Sequence, residues 1–186
     1  EKEFIIFNFD KEISNKNLEY FNKLILQRAR GEPIAYLVKK KYFWKYQFSV
    51  NRDVLIPRPD TEVLIEEVLK LTKNKDNLNL LDVGVGSGCI LISILKDKKN
   101  FYGTGIDISK KSLDTCKINS KNLGVINRLK LYKSDIDNLI FRKYDLIISN
   151  PPYIKKSKLK YLEKDVIGFE PKHALNGGIE GLSEIS

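Results

Sequence analysis

The residues with the clearest chemical potential are Asn150, Pro151, Pro152 and Tyr153, which follow an apolar run at 146–148. Two successive prolines lack backbone N–H groups, so they end a strand abruptly. We predict a strand buried on both faces of a parallel sheet. At its carboxyl end, where ligands bind in open α/β sheets, it would present an amide, rigid carbonyl groups and an aromatic ring.

This set suits the activation of a planar nitrogen nucleophile, such as an amide or an aromatic amine, whose lone pair is delocalised. The side-chain carbonyl of Asn150 and the backbone carbonyl of Pro151 can accept both hydrogens of an NH₂ group and hold its nitrogen in line with an electrophile. Tyr153 would stack on the planar group. We predict Asn150, Pro151, Pro152 and Tyr153 as catalytic residues. The alternative is a strand-terminating turn with a surface tyrosine.

A glycine-rich segment, D-V-G-V-G-S-G, is the second strong signal. Glycines at its alternate positions let the backbone pass close to a ligand at a helix start. A dinucleotide fingerprint would place the third glycine one residue later, and the lysine of a phosphate-binding loop is absent, which disfavours NAD and ATP. The predicted cofactor-binding residues of this loop are Gly84, Val85, Gly86, Ser87 and Gly88.

Further cofactor contacts are predicted at the ends of the next two strands. Asp107 occupies the position where an exposed carboxylate can accept both ribose hydroxyls of a nucleoside. The alternative role for Asp107 is to cap the helix that begins at Ser109. Asp135 ends the third strand, and with Ile136 it would flank an adenine. Asn150 completes the predicted cofactor-binding set.

The elements that must position these residues alternate from residue 78 onward. The predicted strands are 78–83, 101–106, 129–132 and 144–149, and the predicted helices are 89–96 and 109–122. Alternation of strands and helices predicts an α/β fold with a doubly wound, Rossmann-like parallel sheet.

A small helical region and a β-hairpin linker precede this sheet in our prediction. Ser14 can cap an amphipathic helix over 14–30 that needs packing partners, and Gly31 can end it. Residues 42–56 alternate as a hairpin whose turn we place at 51–53. The next helix would be capped at 60–61 and would bury one side. That side consists of Val63, Leu64, Val68 and Leu71.

Composition excludes several classes of protein. The 186 residues include two cysteines and one histidine, so neither a disulfide framework, a Cys/His metal site nor a histidine triad is expected. No apolar run approaches the ~20 residues that span a bilayer. We therefore expect a cytoplasmic protein that does not associate with a membrane. The net charge of +9 comes from lysines spread along the chain, so we expect no stable nucleic-acid partner.

The chain resembles the release factor glutamine methyltransferases, a family of class I S-adenosylmethionine-dependent enzymes, from about residue 28 to residue 182. The motifs that carry the resemblance are R-A-R-G-E-P-I-A-Y (28–36), F-W (43–44), V-L-I-P-R-P-D-T-E (54–62), L-L-D-V-G-V-G-S-G-C-I (80–90), S-N-P-P-Y-I (149–154) and F-E-P-K-H-A-L-N-G-G-I-E-G-L (169–182).

The resemblance implies transfer of a methyl group from S-adenosyl-L-methionine to the side-chain amide nitrogen of the glutamine in the Gly-Gly-Gln loop of peptide chain release factors. It also implies a helical docking region at 1–41, a hairpin and linker at 42–59, and a catalytic domain at 60–186. The chain has no methionine, and the family continues past residue 186. We therefore expect a partial view of a longer protein.

Two other functions compete with this one. A nucleic-acid base methyltransferase acting on the amino group of adenine would also use an N-P-P-Y loop, and would have to extrude its base from the helix. A cofactor-binding module without activity is the third possibility, but the intact N-P-P-Y argues against it. The I-P-R-P-D-T-E and F-E-P segments favour the release factor enzyme.

Overall fold

The computed structural model describes residues 2–139 and 143–183, so the last three residues of the predicted catalytic domain lie outside it. The helices are α1 (Lys2–Phe7), α2 (Asn15–Ala29), α3 (Ile34–Leu37), α4 (Glu62–Leu71), α5 (Cys89–Asp97), α6 (Lys110–Asn122) and α7 (Lys164–Phe169). The strands are β1 (Lys40–Phe43), β2 (Tyr46–Ser49), β3 (Asn79–Val83), β4 (Tyr102–Asp107), β5 (Leu129–Lys133) and β6 (Leu146–Ser149). Four short 3₁₀ helices also occur in the described ranges, at Pro59–Thr61, Ile126–Arg128, Lys156–Tyr161 and Lys172–Ala174.

The predicted α/β sheet is confirmed. Four parallel strands lie in the order β5-β4-β3-β6, and helices α5 and α6 connect β3 to β4 and β4 to β5. The chain proceeds outward from β3 to β5 and then returns to the other side of β3. The direction of winding therefore reverses between β3 and β6, which is the position where ligands bind in doubly wound sheets.

The sheet forms because β3 and β4 are buried and closely covered by helices. Leu80 and Leu81 of β3 are at most 1% exposed. On β4, an added Cβ at Gly103 would lie 3.0 Å from the side chain of Leu91 on α5, so the helix packs directly on the strand backbone. The largest buried side chains around this sheet are Phe43, Phe48, Phe101, Ile65, Leu80, Leu81, Leu91, Ile92, Ile94, Leu95 and Ile106.

The prediction that the strand before Asn150 is buried on both faces is wrong. Within the described residues β6 pairs only with β3 and forms an edge of the sheet. Ile148 faces the core, but Ile147 is 59% exposed on the opposite face. Three consecutive apolar residues do not distinguish a central strand from an edge strand, since that depends on which elements cover each face.

The predicted hairpin exists, but the predicted turn is wrong. The register pairs Phe43 with Tyr46, so the turn consists of Trp44 and Lys45. Trp44 has φ 55°, and its backbone N–H donates to Glu62 Oε1 at 2.7 Å. Its indole Nε1–H donates to Asp97 Oδ2 at 2.9 Å. Contacts with α4 and α5 therefore hold a tight turn at a residue with no local preference for it. Residues 51–53 do form a turn, in which the N–H of Val54 donates to the Asn51 carbonyl at 3.2 Å, but this turn lies in the linker after β2.

Helix α4 exists, but the predicted side-chain cap is absent and only Val68 and Leu64 of the predicted apolar side contribute to the core. Thr61 has helical dihedral angles and makes no capping hydrogen bond through its side chain. The buried residues are Ile65 and Val68, whereas Val63 and Leu71 are exposed. The 3₁₀ turn at Pro59–Thr61 gives Thr61 helical dihedral angles, so it lacks the extended geometry of a capping residue.

The N-terminal helices precede the hairpin as predicted. Ser14 caps α2 by accepting the N–H of Asn17, and Gly31 follows its end with φ 95°. The apolar side chains Leu18 and Phe21 are exposed, so the expected packing partners do not lie within the described residues. A second apolar cluster forms between α3 and the linker after β2. Its buried members are Tyr36, Val50, Val54 and Ile56. Over the described ranges, no helix has the length and apolar character needed to cross a bilayer.

Candidate active site

The glycine loop after β3 adopts a conformation that only glycines adopt readily. Gly84, Gly86 and Gly88 have φ values of 75°, 54° and 81°. A Cβ added at Gly84 would meet no atom within 4 Å, and one at Gly86 would have only the Gly84 carbonyl at 3.9 Å. The loop therefore exposes backbone beside open space. Val85 and Ser87, also predicted to bind the cofactor, have buried side chains, so only their backbone faces that space.

Asp107 at the end of β4 holds this loop in place. Its Oδ2 accepts the N–H of Gly86 at 3.0 Å, and its Oδ1 accepts the N–H of Ser109 at 2.8 Å. The expectation of an exposed carboxylate is wrong, because Asp107 is only 8% exposed. Ser109, not Asp107, is the N-cap of α6. A carboxylate has about four acceptor positions, so two remain for ribose hydroxyls.

Asp135 and Ile136 lie beyond the end of β5, which ends at Lys133 rather than at Asp135 as predicted. Asp135 is exposed and accepts the backbone and side-chain N–H groups of Asn138 at 2.7–3.0 Å. Ile136 is 42% exposed. Both stand on the same edge of the sheet as Asp107, because the carboxyl ends of parallel strands meet there. Their predicted contact with adenine remains a prediction.

The sheet register brings the two predicted signals together. Val83 lies opposite Ser149, and the Ser149 hydroxyl donates to the Val83 carbonyl at 3.0 Å. The glycine loop and Asn150 therefore leave adjacent parallel strands at the same edge. This is the switch point of the sheet, where the glycine loop and the N-P-P-Y segment begin at neighbouring positions.

A cleft of about 690 Å³ opens beside the N-P-P-Y segment. Four of the sequence motifs that are far apart in the chain contribute to its walls. The lining residues include Arg28, Pro33, Ile34, Leu55, Ile56, Arg58, Thr61, Asn150, Pro151, Pro152, Tyr153, Ile154, Glu170, Ala174 and Leu175. The glycine loop and Asp107 are not part of this lining. The loop follows β3, which pairs with β6 directly before Asn150.

Asn150 is oriented by Thr61, a residue that sequence reasoning did not assign to the site. Asn150 Nδ2 lies 3.4 Å from Thr61 Oγ1. No described residue donates to the Asn150 side-chain carbonyl, which therefore retains its full accepting capacity. Pro151 and Pro152 are half-buried, and Tyr153 is 66% exposed at the cleft wall.

The segment that contains Gly177 packs against the backbone of the N-P-P-Y segment. The N–H of Ile154 donates to the Leu175 carbonyl at 3.1 Å, and the N–H of Gly177 donates to the Ile154 carbonyl at 2.9 Å. A Cβ at Gly177 would lie 2.7 Å from the Pro152 carbonyl. Only glycine permits this approach, so residue 177 packs against the backbone of the N-P-P-Y segment without lining the cleft.

A buried ion pair joins two walls of the cleft. Glu170, whose side chain is 1% exposed, receives Arg58 Nη2 at 2.5 Å and the N–H of Ile56 at 3.2 Å. Glu32 and Arg52 form a second pair at 2.8 Å. The pairs tie the linker after β2 to the segments around α7 and α3. Of these four residues, Arg58 and Glu170 line the cleft.

Asp82 in β3 is a buried carboxylate behind the glycine loop. It is 1% exposed, and neither oxygen has a hydrogen-bond partner in the described structure. Burial raises the pKa of Asp82 to about 8, and the nearby Asp107 carboxylate adds to the rise. The N–H of Leu91 opposes it in part without reaching hydrogen-bond geometry. Asp82 therefore changes charge close to neutral pH.

Sequence reasoning missed Thr61, Glu170, Gly177 and Asp82 as parts of this site. Each lies inside a motif that we quoted for the resemblance, which was the available signal. Their contacts join residues 89 and 112 positions apart, and spacing along the chain does not reveal such pairs.

Comparison with known proteins defines the class. Residues 59–178 match the family model described as the methyltransferase small domain, and the chain belongs to this family. The four-stranded parallel sheet, the glycine loop and the N-P-P-Y segment all lie within that match.

Individual relatives are more specific. The chain is 39% identical over 184 residues to the release factor glutamine methyltransferase of Buchnera aphidicola from Acyrthosiphon pisum, covering 99% of this chain and 65% of that protein. It is 39% identical over 174 residues to the protein of the same name from Caulobacter vibrioides, covering 93% of this chain and 60% of that one. The chain thus spans less than two thirds of these relatives.

Proposed function

We propose that this protein transfers a methyl group from S-adenosyl-L-methionine to the side-chain amide nitrogen of the glutamine in the Gly-Gly-Gln loop of peptide chain release factors. The observation that carries the proposal is the position of Asn150. This residue lines a cleft whose walls come from four motifs, and it follows the strand that pairs with the strand before the glycine loop. The two relatives described above carry the name of this activity, which supports the same conclusion.

The residues present fit the cofactor. The open space beside Gly84 and Gly86 leaves room for a ligand against the backbone, and the free acceptor positions of Asp107 suit a pair of ribose hydroxyls. Exposed Asp135 and Ile136 would border the adenine. The cofactor supplies a methyl group on a positively charged sulfur, which makes it an electrophile.

The chain's own residues would prepare the glutamine nitrogen. The free side-chain carbonyl of Asn150 and the backbone carbonyl of Pro151 accept its two hydrogens and orient its lone pair toward the glycine loop. They also stabilise the positive charge that develops on nitrogen as the new bond forms. No general base is needed before transfer, because the nitrogen loses its proton afterwards.

The cleft suits a peptide loop better than an extruded base. Its lining combines prolines, aliphatic side chains and Tyr153 with charged residues of both signs, of which Arg58 pairs with Glu170 and Arg28 with Asp165. Tyr153 is exposed enough to stack on the planar amide. The docking role of the helical region 1–41 remains part of this proposal.

The test is to incubate the protein with labelled S-adenosyl-L-methionine and a bacterial release factor, and to locate the label by mass spectrometry. We expect one methyl group on the glutamine of the Gly-Gly-Gln loop. A release factor in which that glutamine is replaced by alanine is the matched control and should stay unlabelled. Label on duplex or single-stranded DNA instead would support the base methyltransferase and contradict the proposal.

A further inference from the structure

The side chain of Asn119 joins three elements around the glycine loop. Asn119 lies on α6 and is 1% exposed. Its Oδ1 accepts the N–H of Ser49 at 2.7 Å, and its Nδ2 donates to the Ser49 carbonyl at 3.0 Å and to the Ser87 carbonyl at 2.9 Å. Ser49 ends β2, and Ser87 belongs to the glycine loop. One amide therefore connects the hairpin to the loop.

The bond to Ser87 fixes one peptide unit of the loop at both ends. The carbonyl of Ser87 is held by Asn119, and the N–H of Gly88 in the same peptide plane donates to the Val85 carbonyl at 2.8 Å. Because the peptide unit is planar, fixing both groups sets the direction of the whole unit. Asp107 fixes the other end of the loop through Gly86.

Helix α6 is also in direct contact with the loop backbone. A Cβ added at Gly88 would lie 2.6 Å from Cys116 Sγ, one helical turn before Asn119. Asparagine is a poor residue for a helix interior, and burying an unpaired amide is costly. Three hydrogen bonds to backbone groups offset this cost, and one of them is made to the glycine loop of the candidate site.

We propose that Asn119 is a positioning residue for the cofactor: it holds the Ser87–Gly88 peptide so that the loop is already shaped to receive the ligand. This inference rests on the proposed function for the identity of that ligand. Asn119 acts through the loop backbone and does not touch the cofactor. Loss of its amide lets the peptide unit rotate, so the cofactor must then restrict a mobile loop when it binds.

The experiment compares Asn119→Ala with Ser112→Ala. Ser112 is the matched control because it is also a buried polar residue of α6, and its hydroxyl donates to the Asp53 carbonyl of the linker without contacting the loop. Affinity for S-adenosylhomocysteine is measured by calorimetry, and Tm is measured alongside it. We expect Asn119→Ala to weaken binding by about threefold to tenfold, the range for one hydrogen bond, and Ser112→Ala to leave it unchanged.

A second variant covers a failure of Asn119→Ala to fold. Asn119→Ser is neutral and keeps a short hydroxyl, which cannot make all three hydrogen bonds of the amide, so binding should weaken to a similar degree. In turnover assays both Asn119 variants should raise KM for S-adenosylmethionine and leave kcat at saturation unchanged. A role limited to stability would lower Tm without this change.

The outcomes separate the two proposals. If the parent binds S-adenosylhomocysteine and the Asn119 variants bind it equally well, the positioning role is overturned and the proposed function stands. An equal loss of affinity in Ser112→Ala would also overturn the positioning role, since the loss would then follow general destabilisation. A parent that does not bind the ligand would overturn both.

Discussion

The carboxylate of Asp107 accepts the N–H of Gly86 from 21 positions earlier in the chain, at 3.0 Å. The residue predicted to hold the ribose is therefore also the residue that holds the glycine loop. Any substitution at Asp107 therefore affects both the predicted contact with the ribose and the hydrogen bond that holds the glycine loop. It also leaves two buried backbone N–H groups without their acceptor.

We expect Asp107→Ala to weaken S-adenosylhomocysteine binding and to lower the free energy of unfolding by about 1–3 kcal/mol, because the N–H groups of Gly86 and Ser109 lose their partner. Calorimetry and urea unfolding measure the two effects. Asp114→Ala is the control, since Asp114 is exposed on α6 and pairs with Lys110. Parent affinity in a folded Asp107→Ala protein would remove Asp107 from the cofactor site.

Asn150→Ala should reduce the single-turnover rate of methyl transfer by about tenfold to a thousandfold, the range for one preorganised polar contact in the transition state. Affinity for S-adenosylhomocysteine should stay close to that of the parent. Asn122→Ala, an exposed asparagine at the end of α6, is the control. Asn150→Asp should retain partial activity, because it keeps the acceptors. Transfer by Asn150→Ala at the parent rate would disprove the role of the side chain.

Thr61→Val should lower the transfer rate by a smaller factor, about twofold to fivefold, because the bond between Thr61 and Asn150 is long and contributes only orientation. Thr72→Val is the control: its hydroxyl donates to the Val68 carbonyl just after α4, away from the cleft. We expect the control to change stability alone. Rate constants at saturating substrate decide whether Thr61 orients Asn150.

Asp82→Asn should change how stability depends on pH. The unfolded carboxyl ionises near 4, whereas burial holds the folded pKa at about 8. The folded state thus keeps a proton that the unfolded state releases, and the parent loses stability as pH rises from about 4 to 8. The Asp82→Asn variant has no ionisable group at this position, so it does not lose this stability as the pH rises. Urea unfolding at several pH values should show its stability relative to the parent increasing toward pH 8.

For Asp97→Asn we expect stability to depend on pH in the opposite direction. Partial burial opposes ionisation of Asp97, but hydrogen bonds from Lys45, Tyr46 and Trp44 outweigh it and lower its pKa. Its contribution is therefore present above the unfolded pKa and is lost as the solution becomes acidic. The asparagine variant should be less stable than the parent at neutral pH, and the gap should close in acid. A constant gap for both variants would mean that neither group titrates as described.

Glu170→Gln should destabilise the protein by about 1–2 kcal/mol, because the charged partner of Arg58 is replaced by a neutral amide in a buried position. KM for the release factor should rise, since Ile56 and Arg58 lie in the cleft wall that Glu170 holds. Affinity for S-adenosylhomocysteine should not change. The control is Glu180→Gln, which removes the exposed pair with Lys155 and should alter neither quantity.

The parts of the fold that follow from local sequence were predicted well. Ser14 and Gly31 bound α2 as expected, and the four parallel strands were placed within two residues of their observed limits. These signals are local: a capping side chain, a glycine stop, and short apolar runs between turn residues. The relative position of Asn150 and the glycine loop also follows, because parallel strands end at a common edge.

The errors arose where contacts between distant segments decide the structure. The turn at Trp44 depends on Glu62 and Asp97, and no glycine or asparagine marks it in the sequence. The exposure of Ile147 depends on the arrangement of neighbouring elements, which a run of apolar residues does not specify. In the site, the burial of Asp107 and the hydrogen bond between Thr61 and Asn150 depend on contacts between distant segments, which the sequence does not reveal. The roles of the predicted site residues remain predictions until the variants above are measured.

The contact between Trp44 and Asp97 has a practical consequence for spectroscopy. Trp44 is the only tryptophan of the chain, and its indole is fixed at the junction of the hairpin turn with the end of α5. Selectively excited tryptophan emission therefore reports when the hairpin separates from α5. An unfolding curve followed by this emission should be compared with circular dichroism, because agreement between the two signals would mean that the hairpin and the sheet melt as one cooperative unit.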